Sequence, residues 1–282
     1  MLDTNHLSDL ARDPSQPAHD AVIRRLQDGT AAIALSIFHL VELGSPTFRS
    51  AVELRALLRD VHHVLANPFE NIEDEEIACA VARAGGLSRR PPHVFARDTS
   101  EWGYHPGVPG GTALDLFEAF DRLQDDRQEM LDVANWGAQA SMMKQDAALM
   151  KDPLLPLTLA VQRHLDTRRE RLPSYGGGMS AGEVIARVGG KDAFPAYQVQ
   201  ESLVTQRMRD AGQKSTSNDV FDEYIAFYAP YAAVTAVDRR TLPRAKMARL
   251  ACVPRMTRYL SEVPAILDRV IAGELVPVPS AG

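Results

Sequence analysis

Short apolar runs alternate with segments of helical periodicity over the first 88 residues of the chain. The runs at 31–35 and 61–65 have the length of buried parallel strands. Apolar side chains recur on one face of a helix at 20–27, from Pro46 onwards, and at 72–84. This alternation predicts an α/β arrangement with a parallel sheet.

The middle of the chain has a different composition. Residues 85–111 hold many of the glycines and prolines, and residues 174–190 again have the composition of a loop. Between them, residues 112–172 carry apolar side chains at helical spacing, and another helix is predicted at 195–210. This part of the chain is therefore predicted to be mostly helical.

The last part of the chain returns to the α/β pattern. Residues 219–228 are predicted to form a helix, and the apolar run at 232–237 is predicted to form a strand. Helical spacing follows at 239–250 and at 266–271. Strands are therefore predicted near both ends of the chain, with the helical part between them.

Composition and charge exclude several classes of protein. A hydrophobic content of 45% and a charged content of 24% are ordinary values for a globular protein. The formal net charge of -6 argues against a protein that coats nucleic acid through bulk charge, so a nucleic-acid substrate would need a local basic surface. Cys79 and Cys252 are far apart in the sequence, which argues against a zinc site or a disulfide scaffold and predicts buried thiols.

The chain carries no sequence signal for a membrane or for secretion. It has no run of 18 apolar residues, and its start lacks the apolar core of a signal peptide. We therefore expect a soluble cytoplasmic protein with no membrane partner.

The first two acidic residues of interest lie next to predicted strands. Only two residues precede Asp3, so a strand that leads into it is very short, as expected of a chain that starts late or is truncated. Ser36 is placed to cap a helix that carries Glu42 after the strand at 31–35. Taken singly, Asp3 has the ordinary interpretation of a turn cap and Glu42 that of a solvated helix residue.

Three more acidic residues lie near the end of the chain. Asp219 and Asp222 are three positions apart on a predicted helix and therefore share one face. Asp238 follows the strand predicted at 232–237. Taken singly, Asp219 and Asp222 favour the helix dipole, and Asp238 is expected in a surface ion pair.

Together these positions predict a divalent-metal site. The carboxyl ends of parallel strands meet at one edge of a sheet, where ligands bind. Two carboxylates about 4 Å apart repel by about 4 kcal/mol at an effective dielectric constant of roughly 20, so a cluster of them requires a cation. Mg²⁺ or Mn²⁺ suits oxygen ligands and activates a bound water for attack on a phosphate. The pattern therefore predicts phosphodiester hydrolysis.

Four segments of the chain resemble the PIN-domain ribonucleases, a family that includes toxins of bacterial toxin–antitoxin modules. The segments are Leu2-Asp3-Thr4-Asn5, residues 33–44, residues 219–226 and residues 234–240. The resemblance implies a three-layer α/β/α sandwich with a small parallel sheet. It also implies that residues 1–88 and 214–282 form a discontinuous PIN-like core, with a mostly helical insertion at 89–213.

The resemblance implies a role for each acidic residue. Asp3, Glu42, Asp222 and Asp238 match, in this order, the four acidic residues that hold the metal ion and carry catalysis. Asp219 is implied as an extra metal ligand or as a partner of the other ligands.

Four neighbouring residues complete the predicted site. By the same resemblance, Thr4 and Asn5 would support the end of the first strand through hydrogen bonds. Arg239 and Arg240 begin a basic run directly after Asp238, for which phosphate contact and a solvated helix face are equally open interpretations.

The sequence therefore predicts a metal-dependent endoribonuclease that uses Mg²⁺ or Mn²⁺ to cleave RNA. The resemblance further implies an antitoxin-like protein partner and a homodimer. One alternative is a catalytically inactive PIN-like module that binds a protein or RNA partner through its helical insertion. Another is a metal-dependent phosphohydrolase that acts on a small nucleotide.

Overall fold

The structure is a computed structural model, and it describes residues 1–39, 51–98, 117–118, 154–209 and 217–279. Helices account for most of these residues. Their bounds are α1 (Thr4–Arg12), α2 (Pro17–Gln27), α3 (Ala51–Asp60), α4 (Phe69–Ala84), α5 (Leu155–Arg171), α6 (Ala181–Arg187), α7 (Pro195–Arg209), α8 (Ser217–Phe227), α9 (Thr241–Met247) and α10 (Val263–Ile271).

The strands of the described residues form two small sheets. In the first, β1 (Ile33–Leu35) pairs in parallel with β2 (His63–Ala66), which pairs in antiparallel with β3 (Phe95–Ala96). In the second, β4 (Thr235–Ala236) pairs in parallel with β5 (Met256–Thr257). The chain is therefore a mixed α/β protein, as predicted, with short strands.

The start of the chain extends the second sheet. Leu2 forms a parallel bridge with Ala236, and the Asp3 N–H donates to the Ala236 carbonyl at 3.0 Å. The Ala236 N–H donates in turn to the Met1 carbonyl at 3.0 Å. The backbone enters α1 directly after this bridge.

Side chains of β1 belong to two different clusters of buried residues, because successive side chains of a strand point to opposite faces. Ile33 and Leu35 pack in a cluster with side chains of α1, α2, α3 and α10. Ala34 belongs to a second cluster, with side chains of α4 and α8 such as Ile72 and Ile225. Helices therefore supply apolar side chains to both faces of β1.

Parts of the predicted insertion pack with the predicted core. β3 completes the first sheet, and Val199 and Leu203 of α7 pack with Ala226 of α8 and Ala245 of α9. By contrast, α5 and α6 form a separate apolar cluster with the second half of α4. Residues 99–116 and 119–153 lie outside the described residues, and the boundaries of the insertion stay a prediction.

Most of the helices and strands predicted from periodicity are confirmed with bounds a few residues different, but two helices were missed. Asp3 caps α1, which the sequence analysis did not predict. The prediction of a loop over 174–190 is wrong at α6, where Ser180 and Glu183 form a capping box. None of the helices among the described residues is both long enough and apolar enough to span a membrane.

Candidate functional site

Asp3 lies between Leu2, which bridges to Ala236, and the start of α1 at Thr4. Its side chain is 2% exposed. Its Oδ1 accepts a hydrogen bond from the His6 N–H at 2.9 Å and also contacts His6 Nδ1. The second ring nitrogen of His6, Nε2, lies 2.9 Å from the Arg258 carbonyl oxygen. Asp3 is therefore both the N-cap of α1 and the partner of a histidine.

Both ring nitrogens of His6 face acceptors, and this arrangement favours the protonated imidazolium. Burial by itself lowers the pKa of His6, but the hydrogen bond and the charge of Asp3, with the Arg258 carbonyl, outweigh it. The pKa of His6 is therefore raised above its ordinary value. The contact with His6 on one oxygen of Asp3 therefore favours the protonated form of the ring.

The other oxygen of Asp3 is chemically unusual. Oδ2 is buried and has no hydrogen-bond partner among the described residues. A buried carboxylate oxygen without a partner loses its hydration and gains nothing in return. An oxygen in this condition fits the requirement of a hard cation for oxygen ligands.

Asp238 lies at the same edge of the second sheet as Asp3. It comes two residues after Ala236, the residue whose carbonyl accepts from the Asp3 N–H. Asp238 Oδ1 accepts from the Arg240 N–H at 3.0 Å and from the Thr241 N–H at 2.6 Å, so it stabilises the start of α9. The structure therefore brings two of the predicted ligands to the ends of neighbouring parallel strands.

Asp219 is held by arginines. Its carboxylate is 5% exposed and lies 3.2 Å from Arg240 Nη1 and 3.8 Å from Arg244 Nη1. Of the two predicted phosphate contacts, Arg240 thus already has a carboxylate partner, whereas Arg239 is exposed. Asp222 is half-buried on the same helix, α8.

Glu223 is a buried acidic residue that the sequence analysis missed. It lies one turn after Asp219 on α8, 3.0 Å from Arg207 Nε and 3.8 Å from Arg244 Nη1. Burial raises the pKa of Glu223, and the two arginines oppose this shift. The local signal for Glu223 was its i, i+4 spacing from Asp219, but its arginine partners come from other helices.

The segment that leads towards Glu42 forms a hydrogen bond with Leu2. His39 is fully buried, and its Nδ1 accepts from the Ser36 N–H at 3.0 Å, so Nε2 carries the hydrogen and donates to the Leu2 carbonyl at 2.6 Å. Burial lowers the pKa of His39 to about 4, so the ring is neutral at pH 7. Glu42 itself lies outside the described residues.

The two predicted supporting residues lie in the first turn of α1. Thr4 is buried and Asn5 is exposed there. Their positions follow from the cap at Asp3, because α1 begins at Thr4. Their role in supporting the site stays a prediction.

No three histidine, cysteine, aspartate or glutamate side chains lie close enough to hold a metal ion within the ranges that the structure describes. The predicted ligand Glu42 is not part of those ranges. What the structure does show is a pair, Asp3 and Asp238, at neighbouring strand ends, and a separate ionic cluster at Asp219 and Glu223.

Comparisons of the chain with protein-family models, with curated proteins and with solved structures found no match. The resemblance to PIN-domain ribonucleases therefore stays a prediction that rests on four short segments of sequence.

Proposed function

We propose that this protein is a metal-dependent endoribonuclease with a PIN-like fold. The observation that carries the proposal is the parallel bridge between Leu2 and Ala236, because it sets Asp3 and Asp238 at the same edge of one sheet. These residues are separated by almost the whole chain, and both occupy the strand ends at which parallel sheets bind ligands.

Two features support the layered fold within this proposal. Side chains of β1 pack alternately with helices on its two faces, as in the middle layer of an α/β/α sandwich. The pairs β1–β2, Leu2–β4 and β4–β5 are parallel and β2–β3 is antiparallel. His39, which follows β1, donates a hydrogen bond to the Leu2 carbonyl beside the second sheet.

The residues at this edge fit a divalent cation. Asp3 offers a buried oxygen without a partner among the described residues, and Asp222, Asp238 and Glu42 would supply further carboxylates. A bound Mg²⁺ or Mn²⁺ would lower the pKa of a bound water and neutralise a phosphate oxygen. The chain itself would contribute His6 to orient Asp3, and Arg239 to contact the RNA backbone.

A second function is favoured by a specific observation. The carboxylates of Asp219 and Glu223 lie against the arginines Arg207, Arg240 and Arg244. Such a cluster is expected in a PIN-like module that has lost catalysis and binds a protein or RNA partner. An antitoxin-like protein and a second copy of this chain both belong to this class of partner.

Metal binding and RNA cleavage together separate the two functions. We expect the wild-type protein to bind Mn²⁺ in calorimetry and to cleave an RNA oligomer. Asp3→Asn and Asp238→Asn each remove one carboxylate, so we expect at least about a 100-fold loss of cleavage and a parallel loss of Mn²⁺ affinity. Asp9→Asn is the matched control, because Asp9 is an exposed residue of α1 that pairs with Arg12.

The outcomes of this experiment are distinct. Intact RNA and absent Mn²⁺ binding in the wild-type protein would leave the partner-binding module as the better proposal. Cleavage of nucleotide monophosphates, with no cleavage of the RNA oligomer, would instead indicate a small-molecule phosphohydrolase.

A further inference from the structure

Three side chains away from the acidic edge form a hydrogen-bonded series. His164 of α5 is buried, and its Nδ1 lies 2.5 Å from Asp74 Oδ1 of α4. Its Nε2 lies 3.0 Å from the hydroxyl of Tyr175, in the turn after α5. A hydroxyl, an imidazole and a carboxylate in this order are the parts of an activated nucleophile.

The negative charge of Asp74 determines which atoms of His164 and Tyr175 carry hydrogens. Partial burial by itself raises the pKa of Asp74, but the hydrogen bonds and charges of His164 and Arg168 outweigh it, and the pKa is lowered. Because Asp74 is a carboxylate at pH 7, Nδ1 of His164 donates to it and Nε2 accepts from the Tyr175 hydroxyl. Burial raises the pKa of Tyr175, so the phenol keeps its proton until His164 accepts it.

The carboxylate is fixed on its second oxygen as well. Arg168 Nη2 donates to Asp74 Oδ2 at 2.5 Å, one turn along α5 from His164. Asp74 therefore has a charged partner on one oxygen and the imidazole on the other, which holds the ring in one orientation. This is the function of the carboxylate in a hydroxyl–imidazole–carboxylate triad.

The turn that carries Tyr175 packs closely against α5 at Gly176. Gly176 has a φ of 69°, and a Cβ there would lie 3.0 Å from Leu165 Cδ2. Arg169 donates through Nε to the Tyr175 carbonyl at 3.1 Å and through Nη2 to the Met179 carbonyl at 2.6 Å. The turn that presents Tyr175 is therefore attached to α5 from both sides.

Tyr175 lines a cleft that is large enough for a small molecule. The cleft has a volume of about 480 Å³. Apolar side chains form one part of its lining, including Val81, Leu87 and Leu172. Arg89 and Arg187 supply positive charge on the same lining. The cleft thus suits a ligand with an apolar body and an anionic group.

We propose that Tyr175 is the nucleophile of a second reactive site, which takes a small anionic carboxylic ester with an apolar body. The charged group of the ester lies against Arg89 and Arg187, and its body lies on the apolar lining. This site is independent of the proposed ribonuclease site, because it uses none of the same residues and needs no metal ion.

The reaction is an acyl transfer to the tyrosine. The Tyr175 oxygen attacks the carbonyl carbon and forms a C–O bond, while the C–O bond to the leaving alcohol breaks. The phenolic proton moves to His164 Nε2 and from there to the leaving oxygen, so charge and atoms balance. No oxidant, reductant or further reactant is required.

Covalent labelling with 4-carboxybenzenesulfonyl fluoride tests the proposal on the full chain. The probe has a carboxylate, an aromatic ring and an electrophilic sulfur. Labelling forms the Tyr175 O–S bond, breaks the S–F bond and passes the phenolic proton to His164 as fluoride leaves. Tyr259, 55% exposed, is the internal reference for an ordinary tyrosine, and peptide mass spectrometry measures both rates.

We expect Tyr175 to be labelled at least about 100-fold faster than Tyr259 at pH 7.5, the lower end of the contribution of a general base. Asp74→Asn and His164→Gln should reduce the rate at Tyr175 to that of Tyr259. Tyr175→Phe should remove the label from this peptide. Replacing both Arg89 and Arg187 by glutamine should slow this probe but not the neutral benzenesulfonyl fluoride.

Three results would overturn the proposal. One is a labelling rate at Tyr175 no greater than that at Tyr259 in the folded wild-type protein. Another is an unchanged rate in Asp74→Asn, whose half-exposed side chain is replaced at little risk to the fold. The third, equal slowing of the charged and neutral probes by the arginine substitutions, would remove the anionic ester as the substrate class.

Discussion

Two groups of charged side chains in this protein are built in different ways. Asp219 and Glu223 are 5% and 4% exposed and lie against arginines that neutralise them. Asp74 is 45% exposed and orients His164, which lies 3.0 Å from a tyrosine hydroxyl. The first arrangement sets ion pairs between α7, α8 and α9, whereas the second leaves a proton acceptor beside a nucleophile.

The two groups differ in how far their carboxylates are buried. A buried carboxylate without a counter-charge is strongly destabilising, so its partners are fixed by stability. A carboxylate that keeps part of its hydration tolerates the loss of a partner, because solvent screens its charge. The predictions below test this contrast, beginning with the largest expected effect.

Removal of Arg244 should have the largest effect on stability. Arg244 lies 3.8 Å from both Asp219 and Glu223, so Arg244→Met leaves two buried carboxylates with less positive charge. We expect a loss of about 3 kcal/mol in the free energy of unfolding, measured by urea denaturation. Arg239→Met is the control, since Arg239 is exposed in the same basic run, and an equal loss there would contradict the contrast.

The carboxyl group of Glu76, which connects α4 to α7, should make the stability of the protein depend on pH. Glu76 of α4 accepts from the Ala196 N–H of α7 at 2.8 Å and from the Tyr231 hydroxyl, and burial raises its pKa to about 7. The folded state therefore binds this proton more tightly than the unfolded state. Stability is fully present below the unfolded pKa, near 4.5, and is lost as pH rises through about 7.

Urea denaturation at several pH values measures this effect. We expect the free energy of unfolding to fall by roughly 3 kcal/mol between pH 4 and pH 8 through Glu76. Glu76→Gln should flatten the pH dependence, because the amide resembles the neutral carboxyl. A slope that is the same in Glu76→Gln and in the wild-type protein would show that another group causes it.

The substitution Gly176→Ala should lower the stability of the protein and slow the labelling of Tyr175. A Cβ at Gly176 would lie 3.0 Å from Leu165 Cδ2, whereas one at Gly177 would meet nothing within 4 Å, and both residues have positive φ. We expect Gly177→Ala to cost about 1 kcal/mol through backbone strain alone and Gly176→Ala to cost about 2 kcal/mol. Only Gly176→Ala should also slow the labelling of Tyr175, and equal effects would show that the close approach is unimportant.

Asp74→Asn should have the smallest effect on stability. Both Asp74 and Arg168 are nearly half exposed, so solvent screens their ion pair. We expect a change below about 1 kcal/mol in the free energy of unfolding, with the large effect confined to Tyr175 labelling. A loss as large as that of Arg244→Met would assign Asp74 a structural role.

Local patterns in the sequence were sufficient for most of the helices and strands. Apolar side chains at helical intervals predicted α2, α4, α7, α8 and α10. The capping box at Ser180 and Glu183 was also visible in the sequence, although it was interpreted as part of a loop. β5 has only two residues and follows Pro254, so its length gave no periodic signal.

The sequence by itself determined the mixed α/β character of the protein and the positions of the acidic residues along the chain. Only the tertiary structure decided which charges meet. Asp74 and His164 are 90 residues apart, and Glu223 and Arg207 lie on different helices. The spacing of apolar residues indicates which face of a helix or strand is buried. An ion pair or a proton relay depends instead on how elements that are remote in sequence pack together.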